Sequence, residues 1–461
     1  MFAMPESDLS EPVGLDQARA RVAATAFPRR ASHFSPGQVG LEPEIFAFRT
    51  KVGGPPTRLP LAGPGSVLEA IDEMVSGGEL EARLEPGAAP AYTLPNGGRL
   101  TFEPAGQIEH STAIFPTAAT ALDDVEATAH LLEDGFSKRG ARLASFGIDL
   151  WNSVDDVPQQ LQAARYKSMA AYFAARGPHG AVMMRNTGSV QVNLDLGPPG
   201  IDAERWLLAN LLSPIATASF ACSPLEGAVS RRAQAWQGLD PTRTGFPARL
   251  VAEGLGDPGA QYADFALDAD VMLFRRGPDG GLPGEPGLRF RDWIENGHSE
   301  HGSATVADLD YHQSTLFPEV RLRGFFELRC IDGVPAHWRP AVVVFWTGLL
   351  YDDDARREAL ALLEPARGEL YEFWSRSARD GLGDPEILAL ARRIWALALE
   401  GADRLPGDFF RSGDIGRAAD FRERFVVTGR SPAVELAEAL EAGADDALNW
   451  GLATEVVVDR E

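Results

Sequence analysis

The sequence predicts an α+β protein, and three observations carry that prediction. Residues 189–195 alternate without a break, with Ser189, Gln191, Asn193 and Asp195 hydrogen-bonding and Val190, Val192 and Leu194 aliphatic. Successive side chains of a strand point to opposite faces, so this segment carries one polar row and one apolar row. Shorter stretches of the same kind recur at Glu42-Pro43-Glu44, Gln107-Ile108-Glu109 and Phe326-Glu327-Leu328-Arg329, each with acids or arginines on the polar side. After Tyr351 the pattern becomes almost wholly helical. Strands therefore dominate the first three quarters, and helices cover the back and the C-terminal end.

Taken in order, residues 1–36 are polar and Pro/Ala-rich and are expected to be partly mobile. A strand is expected over 39–49, then a Gly/Pro-rich loop over 52–65. Asn96-Gly97-Gly98 reads as a hairpin turn leading into a strand over 99–103. Leu122, Val125, Ala129, Leu132 and Phe136 keep helical spacing. Residues 204–212 read as a buried helix that stops near Pro214. Residues 275–287, with five Gly and three Pro, read as a surface loop. Asp384-Pro385 and Ser431-Pro432 each look like an N-cap followed by Pro at the first helical position. Residues 37–461 are expected to form one catalytic domain whose helical part begins at about 352.

Composition narrows the function. Lys plus Arg number 43 and Asp plus Glu 66, a formal charge of −23. That balance disfavours a nucleic-acid or anionic-membrane partner, which calls for a basic stripe. It leaves room for a phosphate ligand, because a few inward arginines make a local positive site. No apolar run reaches the roughly 20 residues of a membrane-spanning helix, and no signal-peptide pattern opens the chain. Cys222 and Cys330 are too few for a disulfide framework or a Cys-rich zinc site. A reducing cytoplasm is the simplest compartment.

Glu42 and Glu44, two apart in a strand-like stretch, share a face; so do Gln107 and Glu109, and Glu327 and Arg329. Taken alone, Glu42 and Glu44 read more readily as a solvated pair, and Glu327 with Arg329 as an internal salt-bridge lattice. Together they are harder to dismiss. Two carboxylates about 4 Å apart at an effective dielectric near 20 repel by roughly 4 kcal/mol, so several on one wall need cations among them or become protonated. Oxygen-only ligands point to Mg2+ or Mn2+ rather than zinc. Arg185, Arg321 and Arg329 then suit phosphate oxygens or a substrate carboxylate. The combination is an ATP site without a Gly-rich phosphate loop, and neither GxxxxGK[ST] nor a strand-linked GxGxxG occurs.

The same segments resemble the glutamate–cysteine ligase family of plant, proteobacterial and actinobacterial-like type. Gly40-Leu41-Glu42-Pro43-Glu44 is similar to its opening G-x-E-x-E, and Phe102-Glu103-Pro104-Ala105-Gly106-Gln107-Ile108-Glu109 to its EPGGQ segment. Further matches in family order are Arg165-Tyr166-Lys167, Met183-Met184-Arg185, Gln191-Val192-Asn193-Leu194-Asp195, the block holding Arg232, Trp236 and Arg243, His312 with Thr315 to Arg321, Glu327-Leu328-Arg329, and Trp346 to Asp352. Ala105, His110, Gly188, Cys222 and Asp270 depart from the common pattern.

The resemblance implies a glutamine-synthetase-like fold, an antiparallel sheet curved into a funnel with helices outside. It implies ATP-dependent joining of the glutamate γ-carboxylate to the cysteine amine. A same-fold ligase for another amine, or a non-catalytic homologue binding glutamate or nucleotide, stays open. It further implies Mg2+ or Mn2+ on Glu42, Glu44, Glu103, Glu109 and Glu327, with Glu327 and Arg329 catalytic. Nucleotide would meet Arg329, Arg321, Asn193 and Lys167; amino-acid substrate would meet Arg185, Arg232, Gln191 and Trp236. Whether the product continues to glutathione or ergothioneine is left open. His312 is expected to be a structural donor or a proton carrier, the two cysteines inert, and residues 262–268 either a source of Asp264 or Asp268 for amine recognition or a sheet rim.

Overall fold

The computed structural model describes residues 10–28, 35–51, 54–87, 89–275 and 281–454. Its strands are β1 (Val39–Lys51), β2 (Gly54–Arg58), β3 (Arg83–Leu84), β4 (Tyr92–Thr93), β5 (Arg99–Phe102), β6 (Ile108–Ser111), β7 (Ala141–Ala144), β8 (Val190–Leu194), β9 (Leu273–Arg275), β10 (Gly281–Pro283), β11 (Val320–Leu322) and β12 (Phe326–Leu328). Ten of them make one sheet in the order β11-β12-β8-β1-β6-β5-β4-β3, with β2 and β7 also paired to β1; β9 and β10 form a separate hairpin. Every pairing is antiparallel. The long β1 is the hub. Its first half pairs with β8 and β6, and its second half with β7 and β2.

Alternation decides which face is buried. Leu41, Val190, Val192, Leu194, Phe326 and Leu328 join one apolar core with Trp206 and Leu208 of the helix Ile201–Ser219 and Val343 and Trp346 of the helix Arg339–Tyr351. The rings of Trp206 and Phe326 lie nearly parallel, 6.5 Å apart. The helix Arg339–Tyr351 is buried at every position, as its apolar run over 341–350 requires. It crosses the helix Pro385–Arg404 at Gly348, where a Cβ would stand 2.1 Å from the Ala398 carbonyl oxygen. Among the described residues no helix is long and apolar enough to cross a membrane.

Several expectations need correction. The helix expected to stop near Pro214 runs on to Ser219. Proline removes one helical hydrogen bond and costs about 3 kcal/mol, but every residue from Arg205 to Ser219 is buried, so packing holds the helical geometry. The loop expected over 52–65 contains β2, and that over 275–287 contains β10, paired to β9 in register Gly281–Arg275; residues 276–280 lie outside the described residues. Asp384 caps its helix through Glu386 N and Ile387 N, whereas Ser431 makes no side-chain cap bond. Within the segment 1–36, Ala18, Val22 and Ala26 of the helix Leu15–Ala26 are buried; residues 1–9 and 29–34 lie outside the described residues.

Candidate active site

Strand register builds the polar face. Glu42 of β1 lies opposite Gln191 of β8, and Glu44 opposite Glu109 of β6. Glu109 lies opposite Thr101 of β5, while Glu327 of β12 sits between Arg321 of β11 and Asn193 of β8. Glu103 follows β5 at a turn where Gly106 has φ +87° and donates its N–H to the Glu103 carbonyl at 2.8 Å. These side chains line a cavity of about 1340 Å3, open mouth included. Its wall carries five carboxylates (Glu42, Glu44, Glu103, Glu109, Glu327) and five guanidiniums (Arg99, Arg232, Arg321, Arg323, Arg329). The chain as a whole is strongly acidic, yet this wall is balanced.

The charges are sorted into two halves. On one side, carboxylate oxygens of Glu44, Glu103 and Glu109 lie within 4.8 Å of one another. Ser189 Oγ donates to Glu44 at 2.8 Å, and Thr101 Oγ1 and Ser111 Oγ donate to Glu109 at 2.7 and 3.2 Å. Neutral donors orient these groups without cancelling their charge. Burial first, then the charge of neighbouring carboxylates, raises Glu103 well above the ordinary range and also raises Glu109. Burial raises Glu44 against the pull of Arg232 and Arg329. Glu42, beside them, is raised to about 7 by burial and by the charges of Glu109 and Glu327. Clustered hard-oxygen donors with uncancelled charge fit a divalent cation of the Mg2+ or Mn2+ kind.

On the other side the acid is already paired. Arg321 Nε donates to Glu327 Oε2 at 2.7 Å and Arg329 Nη1 to Oε1 at 2.7 Å, while Arg329 Nη1 also donates to Gln191 Oε1 at 2.7 Å. Burial alone would raise Glu327; the two guanidiniums and their hydrogen bonds override it and hold it at about 2. Glu327, expected among five metal-holding carboxylates, thus stands apart from the Glu44–Glu103–Glu109 group, because its oxygens are engaged by arginine. Glu42 stands apart too, accepting from Asn193 Nδ2 at 2.7 Å. Trp236 and Phe317 wall this half, with the Arg329 guanidinium 5.3 Å from the Trp236 ring.

Two expected residues miss the cavity. Met169 and Met183 line it, and Lys167 and Arg185 sit two positions before and after them on the helices Ala164–Ala174 and His179–Asn186. Two residues turn a helix by about 200°, which carries Lys167 and Arg185 off the lining. Asp195, last of the polar row, instead accepts from Gln38 N at 2.7 Å. Residues 262–268 are helical, not a sheet rim, within Pro258–Asp268; Asp264 pairs with Arg19 at 3.1 Å and Asp268 with Arg291 at 2.6 Å. His312 Nε2 donates to the Ala266 carbonyl at 2.8 Å and burial holds it at about 3, a structural neutral imidazole. Both cysteines are buried thiols raised by burial. Sequence reasoning missed Arg99 and Arg323 on the wall, although each continues a polar row, Arg99 with Thr101 and Arg323 with Arg321.

A large antiparallel sheet with helices behind it carries acids beside arginines on its open face, an arrangement suited to a phosphate-bearing substrate and a divalent cation. The 2.0 Å crystal structure of a glutamate–cysteine ligase from Francisella tularensis in complex with AMP shares the fold, with TM-score 0.53 and 12% identity over 91% of this chain and 88% of that one. Glutamate–cysteine ligase family 2 matches residues 38–448. The glutamate–cysteine ligase EgtA of Mycolicibacterium smegmatis is 35% identical over 421 residues, 87% of this chain and 90% of that protein. The chloroplastic glutamate–cysteine ligase of Medicago truncatula is 30% identical over 355 residues, 74% and 67% respectively. The chain belongs to glutamate–cysteine ligase family 2.

Proposed function

We propose that this protein joins the γ-carboxylate of glutamate to the amine of cysteine, converting ATP to ADP and phosphate. The observation that carries the reading is the meeting, on one cavity wall, of the Glu44–Glu103–Glu109 cluster with Arg232, Arg321 and Arg329. It agrees with family membership and with the names of the relatives. Residues 37–461 act as one catalytic unit in this reading.

A carboxylate is a poor acyl donor, because oxide is a poor leaving group. A γ-carboxylate oxygen of glutamate attacks the γ-phosphorus of ATP, ADP leaves with the bonding pair, and an acyl phosphate forms. The neutral cysteine amine then attacks the acyl carbon, phosphate leaves, and the nitrogen gives up a proton as the amide forms. Such transfers are accelerated chiefly by positioning and by stabilising charge. A divalent cation held by Glu44, Glu103 and Glu109 would screen the charge of the nucleotide phosphates. Arg329 and Arg321 face the transferring group from the other half, held side by side by Glu327. Arg232 suits the donor's α-carboxylate, and Trp236 and Phe317 shield the pocket from water. Gln191, hydrogen-bonded to Arg329, keeps that guanidinium in the cavity.

ADP release, measured with glutamate present and single amino acids as acceptors, tests the reading. Cysteine-dependent release is expected. Release driven by another amine would change the acceptor, and no release with any amine would end the proposal.

A further inference from the structure

Asp332 does not itself line the cavity, yet it is a buried carboxylate with several partners directly behind it. It is 1% exposed. Its Oδ2 accepts from Cys222 N at 2.8 Å and Ser223 Oγ at 2.6 Å, and its Oδ1 from Ser230 Oγ at 2.8 Å. Two of these partners lead directly to the helix Arg231–Gln237, which presents Arg232 and Trp236 to the cavity. Ser223 Oγ accepts from Arg232 N at 3.2 Å, and Ser230 is the cap residue, accepting from Ala233 N at 3.1 Å. Arg232 Nη1 stands 3.9 Å from Asp332 Oδ1, while its Nη2 donates to the Arg329 carbonyl at 2.8 Å.

The surroundings are shaped for this carboxylate. A Cβ on Gly147 would stand 2.4 Å from the Asp332 carboxyl carbon, so that position has no room for a side chain. Asp332 also bridges to Ser189, the residue that begins the polar row and donates to Glu44. One buried acid thus ties together the loop at 222–223, the cap at 230 and the start of β8. A buried polar network holds its geometry only when its members are all satisfied, and this one lies one residue away from two cavity-lining groups.

We propose that Asp332 is a positioning residue, acting through Ser223 and Ser230 to fix the direction in which Arg232 meets the donor amino acid's carboxylate. The inference rests on the reading of Arg232 as the group that grips that carboxylate. A misplacement of about 1 Å at such a group can cost on the order of 100-fold.

The test uses Ser223→Ala, Arg232→Ala and the double variant in the full chain, with KM for glutamate, KM for ATP, kcat and Tm recorded for each; Asp332→Asn is a fourth variant. Ser223→Ala keeps Asp332 and its bonds to Cys222 N and Ser230 Oγ, and the Tm of each variant separates a loss of folding from a loss of positioning. Its KM for glutamate should rise roughly tenfold, with KM for ATP within about twofold of the parent. Because Ser223 acts through Arg232, the double variant should be no worse than Arg232→Ala alone. Equal rises in both KM values, an unchanged KM for glutamate, or multiplying losses in the double variant would overturn the positioning role. An Arg232→Ala variant with unchanged KM for glutamate would instead remove the donor-carboxylate reading, and the proposal with it.

Discussion

Single residues divide by whether their charge is met. Glu327 is ionised and clasped by Arg321 and Arg329, whereas Glu44, Glu103 and Glu109 crowd together with raised pKa values. Replacing Glu327 by Gln leaves two partly buried guanidiniums facing each other without their shared counter-ion. Turnover should fall by about 100-fold or more, and steady-state kinetics would show it. Glu319 offers a test outside the proposed machinery. Burial raises it to about 7 despite nearby Arg232 and Arg329, so the folded state holds its proton more tightly than the unfolded chain does. Its contribution to stability is full below about 4.5 and is lost as pH rises to about 7. The Tm of Glu319→Gln relative to the parent should therefore climb between pH 5 and pH 8; a flat difference would contradict the assignment. The carboxylates were legible in the sequence because strand alternation has a period of two, which leaves little freedom. Lys167 and Arg185 were not, because a helix's rotational phase is set by which residues its neighbours cover, here Met169 and Met183 at the cavity.

At the scale of elements, β1, β8 and the helix Ala118–Ser137 were readable from periodicity alone, and the site follows from the register of the strands. What escaped were local exceptions settled by packing. Pro214 is carried within a helix buried on all sides, and the glycines and prolines of 275–287 did not prevent a short hairpin. Residues 262–268 place Asp264 and Asp268 four apart, a helical spacing, and form a helix capped by Asp257, whose carboxylate accepts from Ala260 N at 3.1 Å, with Pro258 at its first position. The crossing of the helices Arg339–Tyr351 and Pro385–Arg404 depends on Gly348. Gly348→Ala must push the two backbones apart and should destabilise the protein by about 1–3 kcal/mol, read as a lower urea midpoint. Activity per folded molecule should stay near the parent's, since neither helix reaches the cavity lining.

Across the whole molecule, a chain of net charge −23 gathers five guanidiniums and five carboxylates around one cavity. The clustered acids Glu44, Glu103 and Glu109 come from β1, from the turn after β5 and from β6, so anything that binds them joins separate segments of the folded state. A ligand that binds only the folded chain stabilises it, by about 2.7 kcal/mol at 100 times its dissociation constant. Millimolar Mn2+ should accordingly raise Tm, and more at pH 8 than at pH 6, because protons on the raised carboxyls must leave as the ion enters. The general architecture was visible in sequence because the polar and apolar rows recur in order, and Glu327 beside Arg329 was visible with it; the pairing of Glu327 with Arg321 was not, since it needs the register of β11 against β12. Calorimetric titration of Mn2+ into the parent protein and into Glu103→Gln and Glu109→Gln tests the central claim most directly. The account predicts saturable binding in the parent and its loss in both variants with Tm in the absence of metal unimpaired. Parent-like Mn2+ affinity in either variant would contradict it.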